Sequence, residues 1–194
     1  MPEPPNKGKT YPATTLDAEQ IRALIYAEQG QSARAIMNRA LLLVTWRGAL
    51  RVSEVLNLVP ANYMGEDRLQ ILNGKGGKSR LVGLDHEARG ALEAWLAKRK
   101  ELGLNGKSYL FCTKEGKQLH PNHVRNVMRR LAKREGVEAR VFPHLLRHSR
   151  AAELARQGKP VNLIQKALGH SSLATTSRYL DHVAAQDVIA AMKD

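Results

Sequence analysis

In the segment Gly48-Ala49-Leu50-Arg51-Val52-Ser53-Glu54-Val55-Leu56 a permanently charged guanidinium stands among aliphatic side chains, and such a charge calls for an anion. Glu54, three residues on, can supply one on a helix face, where an exposed pair contributes only about 0.2–0.5 kcal/mol. A bound oxyanion is the other candidate. In Pro143-His144-Leu145-Leu146-Arg147-His148 the i, i+3 spacing sets His144 and Arg147 on one helix face, where a proton-transfer group and a fixed cation could meet the same phosphate. Alone this is weak, because histidines and arginines near helix starts are commonly solvated. The run Leu168-Gly169-His170-Ser171-Ser172 leads from a Gly-His turn into a serine-capped helix with Tyr179 two turns along. Helix N-termini favour phosphate. The plain alternative for Tyr179 is an amphipathic residue at a core boundary.

Two other patterns are weaker. Gly77-Lys78-Ser79 and Gly106-Lys107-Ser108 invite a phosphate-cradling loop, but the first glycine of that motif would fall at position 72 or 101, which are Leu72 and Glu101. Cys112 is the only cysteine, which excludes intrachain disulfides and Cys-rich zinc sites, and its place in Tyr109-Leu110-Phe111-Cys112 predicts an inert buried thiol. His120 with His123, and His144 with His148, have spacings that could share a helix face. With no nearby cysteine or matching carboxylate set, no metal site is expected.

These groups need elements to hold them. Asp17 with Gln20 three positions on predicts a capped helix, Leu16 and Ile21 stand at hydrophobic-staple positions, and Leu24 and Ile25 continue one face. A second helix is predicted from Ser32 to about Gly48, and Leu41-Leu42-Leu43-Val44 is apolar on too many sides for a surface helix, so it belongs at the centre of the core. A short helix should contain Arg51 to Leu58. Leu69 to Leu72 and Ser79 to Leu84 read as two strands of a β-hairpin around Asn73-Gly74-Lys75-Gly76-Gly77. From Asp85 the pattern is helical: Ala91, Leu92, Trp95 and Leu96 share a face, Pro121 can open a helix, and further segments start near His144, Val161 and Ser172. The fold class is mainly α (α+β), helical with a small antiparallel sheet.

The 194 residues suffice for one domain with a substantial core, and 43% hydrophobic residues argue against wholesale disorder. A net charge of +13 with pI near 10.2 favours polyanions, nucleic acid first. No apolar stretch approaches the roughly 20 residues of a spanning helix, and no signal-peptide pattern opens the chain, so a soluble, cytoplasmic protein is expected. Residues 1–15, with four prolines and Lys7-Gly8-Lys9, read as an extended basic leader or linker, and 16–194 as one domain.

Together the segments resemble the tyrosine recombinase or phage integrase family. Its signature is an arginine in a Gly-Leu-Arg-x-Ser-Glu box, a lysine in a β-hairpin, His-x-x-Arg-His, Leu-Gly-His and a tyrosine nine residues beyond that histidine. Here these are Arg51, Lys75, His144 with Arg147, His170 and Tyr179, in order. One variation is noted in the first box, Ala49 in place of the usual leucine, and it is expected to be harmless. The resemblance implies a helical catalytic domain that cleaves and rejoins double-stranded DNA without metal, ATP or other cofactor. Tyr179 would attack the scissile phosphate, Arg51 and Arg147 grip its non-bridging oxygens, His144 accept the tyrosine proton, Lys75 protonate the leaving 5′ oxygen and His170 donate a hydrogen bond. Glu54 would orient the site, and Lys78 is the competing hairpin lysine. The helix opened by Pro121 would meet DNA, Asn122 and Arg125 near its start being candidates for base contacts and later basic residues such as Arg129 for phosphates. Family resemblance further implies a tetrameric synapse, with the helix of residues 184–194 docked on a neighbouring copy, an intramolecular cap being the plain alternative, and a separate preceding helical domain that fifteen residues could not form. The chain is accordingly expected to hold DNA from one side and to bind paired half-sites cooperatively. The readings from other classes are a non-catalytic DNA-binding regulator on the same fold and a type IB topoisomerase.

Overall fold

The computed structural model describes residues 15–72, 79–104, 106–137 and 141–169. The chain opens with α1 (Ala18–Tyr26), where Asp17 accepts from the Gln20 N–H and Gln20 reaches back to the Asp17 N–H, the reciprocal box read from the sequence. Leu16 and Ile21 are both buried, as a hydrophobic staple requires. Next comes α2 (Ala33–Arg47), capped by the Ser32 hydroxyl, with Ala40 to Val44 and Trp46 withdrawn from solvent all round. A helix apolar on every side must be covered on every side. Accordingly α2 is packed by α1, by α4 (His86–Glu101), by α6 (Pro143–Arg156) and by α3 (Val52–Leu56).

Between α3 and α4, after a 3-10 turn at Pro60–Asn62, strands β1 (Arg68–Ile71) and β2 (Arg80–Gly83) pair antiparallel with Arg68 opposite Gly83 and Ile71 opposite Arg80. The register is that of the expected hairpin, with Ile71 and Arg80 at the end where residues 73–78 connect the strands. The loop itself, with Lys75 and Lys78, lies outside the described residues. Leu69, Ile71 and Val82 face the core. Then α4, capped by the Asp85 side chain, buries Leu92 and Trp95, whose indole N–H donates to Leu110 O at 2.8 Å. Cys112 is buried, as expected, and Arg99 donates to its sulfur at 3.0 Å.

Pro121 opens α5 (Pro121–Arg134), which turns Val124, Val127, Met128 and Leu131 inward and leaves most of its basic residues outside. The last described element, α7 (Val161–Leu168), is tied to α6 through a second apolar cluster of Ala49, Ala151, Ile164 and Leu168. Gly169 ends α7 with φ +62°. This is the left-handed stop that favours glycine. The segment from His170, including Tyr179 and residues 184–194, lies outside the described residues.

Candidate active site

Three helix termini converge at the site, and each leaves backbone groups without intrahelical partners. After α2 the chain turns through Gly48 and Ala49, placing Arg51 at the N-cap of α3 with extended backbone. Glu54 reaches back from the first turn of α3 and accepts from the Arg51 N–H at 2.8 Å. On the same glutamate, Arg51 Nη1 donates to Oε1 at 2.8 Å. The pair suggested by the i, i+3 spacing therefore exists, but Glu54 is buried rather than on a surface.

Arg147 rises from the second turn of α6 with only 2% of its side chain exposed. It donates to Ala49 O at 2.6 Å and to Leu168 O, so one guanidinium satisfies carbonyls at the ends of both α2 and α7, where the helix dipoles place partial negative charge. Its Nη1 lies 4.0 Å from Glu54 Oε2. Arg51 Nη2 in turn donates to Gly169 O at 3.3 Å, which fixes the turn immediately before His170. Arg51 is the more accessible of the two, with 24% of its side chain exposed. His144, in the first turn of α6, is exposed at the rim, and its ring centroid lies 6.3 Å from that of His148. Desolvation, then the charges of Arg147 and Arg51, hold its imidazole below the usual histidine range. The shift favours the neutral ring, the form able to take a proton.

Arg80, which the sequence reading passed over, completes the cluster. Its fork donates to Glu54 Oε1 and Oε2, each at 2.9 Å. Burial alone would push the Glu54 carboxyl up; the hydrogen bonds from Arg80 and from the Arg51 N–H, and the Arg80 charge, outweigh it and hold the carboxyl at about 2. Strand alternation carried a signal for Arg80. It shares a face with Val82, which is buried, and a charge on the inward face of a strand needs a partner.

Ala49 also reads differently in three dimensions. Leu50 keeps the place of the box leucine beside Arg51, so Ala49 stands at the box glycine rather than at the leucine. The backbone agrees, since Ala49 has φ +49°, a left-handed conformation that favours glycine.

Of the predicted site residues, Arg51, Glu54, His144 and Arg147 come together; Lys75, Lys78, His170 and Tyr179 lie outside the described residues, although Ser79 and Gly169 bring the chain to the cluster from both sides. Asn122, Arg125 and Arg129 sit apart on the exposed arc of α5, with Arg125 Nη1 donating to the Asn122 carbonyl at 2.8 Å. The opposite edge of that arc is anchored. Arg130 pairs with Glu28, and Arg134 donates to Gln29 at 2.7 Å. Of the histidines whose spacing could share a helix face, His120 caps α5 through Nδ1, and His123 Nε2 meets the Asn38 carbonyl at 3.1 Å.

The sequence model of the phage integrase family matches residues 14–186. The chain belongs to that family. It is 32% identical over 186 residues to the tyrosine recombinase XerD of Mycobacterium leprae, covering 91% of this chain and 58% of that protein. It is likewise 32% identical over 180 residues to XerC of Myxococcus xanthus, covering 90% and 60%. The crystal structure of XerA recombinase superposes with a TM-score of 0.77 at 29% identity, over 91% of this chain and 63% of that one. XerH bound to its palindromic difH substrate after cleavage gives a TM-score of 0.79 at 27% identity, over 93% and 53%. The chain thus spans about three fifths of the length of the curated relatives it matches. The solved neighbours share its mainly helical fold with a small antiparallel sheet, and among the described residues no helix is long and apolar enough to cross a membrane.

Proposed function

We propose that residues 16–194 form the catalytic unit of a cytoplasmic site-specific DNA recombinase that breaks and rejoins DNA through a 3′-phosphotyrosyl link at Tyr179. One observation carries the reading: Arg51, Arg80 and Arg147 converge on the carboxylate of Glu54, with His144 at the rim of the same cluster. Guanidiniums gathered at converging helix ends suit an oxyanion.

The Tyr179 phenol, with an ordinary pKa near 10, is only about 0.1% ionised at pH 7, so it must lose its proton as it attacks. His144 takes that proton. The tyrosyl oxygen forms a bond to phosphorus as the bond to the 5′ oxygen breaks, and Lys75 gives that oxygen a proton. Arg51 and Arg147 stabilise charge on the non-bridging oxygens in place of a metal ion, and His170 donates a further hydrogen bond. A 5′-hydroxyl from a partner strand reverses the step, so the energy of the broken phosphodiester is kept and no nucleotide cofactor is required. Exchange between two duplexes needs four copies, and Val183, Val188, Ile189 and Met192, spaced so that they could form an apolar stripe, would give each a means of holding its neighbour. On α5, Asn122, Arg125 and Arg129 would meet DNA, with Lys78 a further phosphate contact from the hairpin. Matches to XerC and XerD proteins and to recombinases solved with DNA support the same reading.

The test is a duplex nicked beside the cleavage site, which traps the covalent intermediate. Wild-type chain should become covalently attached and pass the strand to a second duplex, in excess EDTA as in buffer. Tyr179→Phe should bind DNA and form no adduct. An adduct in that variant would overturn the nucleophile; attachment without strand transfer would favour a topoisomerase.

A further inference from the structure

The strand that leaves the hairpin loop, the helix that carries Arg51 and the glycine turn before His170 meet on one side chain. Arg80 is the first residue of β2, and only 14% of its side chain is exposed. The fork edge of its guanidinium is occupied, Nη1 and Nη2 each donating to one oxygen of Glu54. Its Nε is buried without a partner among the described residues. The guanidinium also lies against the backbone of Gly169: a methyl group there would stand 2.9 Å from Arg80 Cζ and Nη1 and 3.0 Å from Nε. Glycine at 169 is thus required twice, by φ +62° and by the arginine beneath it.

We propose that Arg80 is a positioning residue: by clamping Glu54, which orients Arg51, and by carrying Gly169, whose carbonyl accepts from Arg51, it locks the strand beyond the 73–78 loop to the Arg51 helix and to the glycine turn that ends α7. The proposal rests on the recombinase reading above. Arg80 is poorly placed to grip a phosphate itself, because its bidentate edge already faces a carboxylate and backbone covers its plane. Its action passes through Glu54. Glu54 accepts from Arg51 N and Nη1 and from both ends of Arg80, with Arg147 Nη1 a further 4.0 Å away, so removing Arg80 takes two of four hydrogen bonds from a buried carboxylate. Lysine has the charge but not the planar fork that holds both oxygens at once.

The experiment compares full-length wild type, Arg80→Lys, Arg80→Gln, Glu54→Gln and the double variant Arg80→Gln/Glu54→Gln. It reads single-turnover attachment to the nicked duplex at saturating protein against pH, together with the Glu54 carboxyl signal by carbon-13 NMR. Arg80→Gln should slow attachment by about 10–100-fold, the range typical of groups that orient a reactive ligand without touching the substrate, and Arg80→Lys should recover part of the loss. The carboxyl should stay ionised down to about pH 3.5 in wild type and take up a proton between about pH 4 and 6 in Arg80→Gln, where attachment should gain an acid limb over the same interval. The double variant should be no slower than Glu54→Gln and lack that limb. Additive losses in the double variant, or slower attachment in Arg80→Gln with no acid limb, would overturn the proposal in favour of direct phosphate contact or general destabilisation. If wild type forms no adduct, the recombinase reading fails, while the carboxyl titration still decides whether Arg80 holds Glu54.

Discussion

Two arginine clusters, each with one buried guanidinium at its centre, Arg47 in one and Arg147 in the other, lie at the two sides of the α2 C-terminus, and they are built differently. Arg47, the last residue of α2, has 3% of its side chain exposed, stacks 3.6 Å from the centroid of the Trp46 ring and meets Asp85, Glu87 and Glu153 at 2.8, 3.0 and 2.9 Å. Arg22 joins through Glu87 and Arg150 through Glu153, so three guanidiniums face three carboxylates. Four residues beyond Arg47 begins the second cluster, where Arg51, Arg80 and Arg147 gather around Glu54. Closed neutrality fastens α2, α4 and α6 together. On the recombinase reading the second cluster is where the phosphate would be received, which would separate arginines that hold the fold from arginines that act.

The strongest way to break this contrast is to remove one arginine from each cluster. Arg51→Ala should slow covalent attachment to nicked DNA by about 10²–10³-fold, or roughly 2.7–4 kcal/mol of transition-state stabilisation, with a melting temperature close to wild type. Arg47→Ala leaves three carboxylates facing too few cations and should cost about 3–5 kcal/mol in chemical denaturation, while folded molecules still cleave. If Arg47→Ala abolished cleavage in folded protein, or Arg51→Ala mainly unfolded it, the two clusters would not differ as argued.

Acid should expose the carboxylate of the second cluster. The Glu54 carboxyl is lowered from 4.5 to about 2 by folding, so its ionisation stabilises the fold above pH 4.5 and that contribution fades as pH falls from 4.5 toward 2. By pH 3 the loss is about 2 kcal/mol. In Glu54→Gln the fall in unfolding free energy between pH 6 and pH 3 should shrink by about that amount; an unchanged slope would mean that Glu54 is not held as described. Glu87, in the balanced cluster, is shifted the same way, burial pushing it up and the Arg47 hydrogen bond and Arg22 charge prevailing, so part of the acid slope survives in the variant.

A smaller effect distinguishes the two edges of α5. Arg125→Ala and Arg129→Ala should each reduce the salt dependence of DNA binding by about one in the log–log slope, because each contact to a phosphate releases counterions. Arg134→Ala, whose guanidinium is engaged by Gln29, should leave the slope unchanged. Equal slopes for all three would mean that the whole basic face meets DNA.

What could be read without coordinates follows from how far each partner lies along the chain. Helix starts at Asp17, Ser32, Asp85 and Pro121 were legible because capping is local, and so was the pairing of Arg51 with Glu54. The meeting of Arg51, Glu54, His144 and Arg147 followed only from the order of motifs in a known family, since nothing in a spacing of about a hundred residues makes two guanidiniums converge. Arg80 stayed hidden because its partner is 26 residues distant and two lysines in the adjoining loop drew the chemistry to themselves. Arg47 carried no signal in the sequence, because its three carboxylates come from residues 85, 87 and 153.

The smallest expected effect concerns Ala49, which lies where the two clusters meet. Its left-handed backbone, φ +49°, costs an L-residue roughly 1–2 kcal/mol, a cost that glycine would avoid. Against that, the Ala49 methyl group is buried with Ala151, Ile164 and Leu168, where α7 packs on α6, and burying one such group contributes about 0.8 kcal/mol. Glycine also gains freedom in the unfolded chain, which offsets the relief by about 0.4–1 kcal/mol. The contributions nearly cancel, so Ala49→Gly should change stability by less than about 1 kcal/mol in thermal or chemical denaturation. Cleavage should respond more than stability does. Ala49 O accepts from Arg147 at 2.6 Å, and the methyl helps to seat the α7 end whose Leu168 carbonyl accepts from the same guanidinium. Loosening that seat should lower attachment to nicked DNA by a few-fold at unchanged DNA affinity. A stabilisation of 2 kcal/mol or more with full activity would show that the alanine is strained without serving the site.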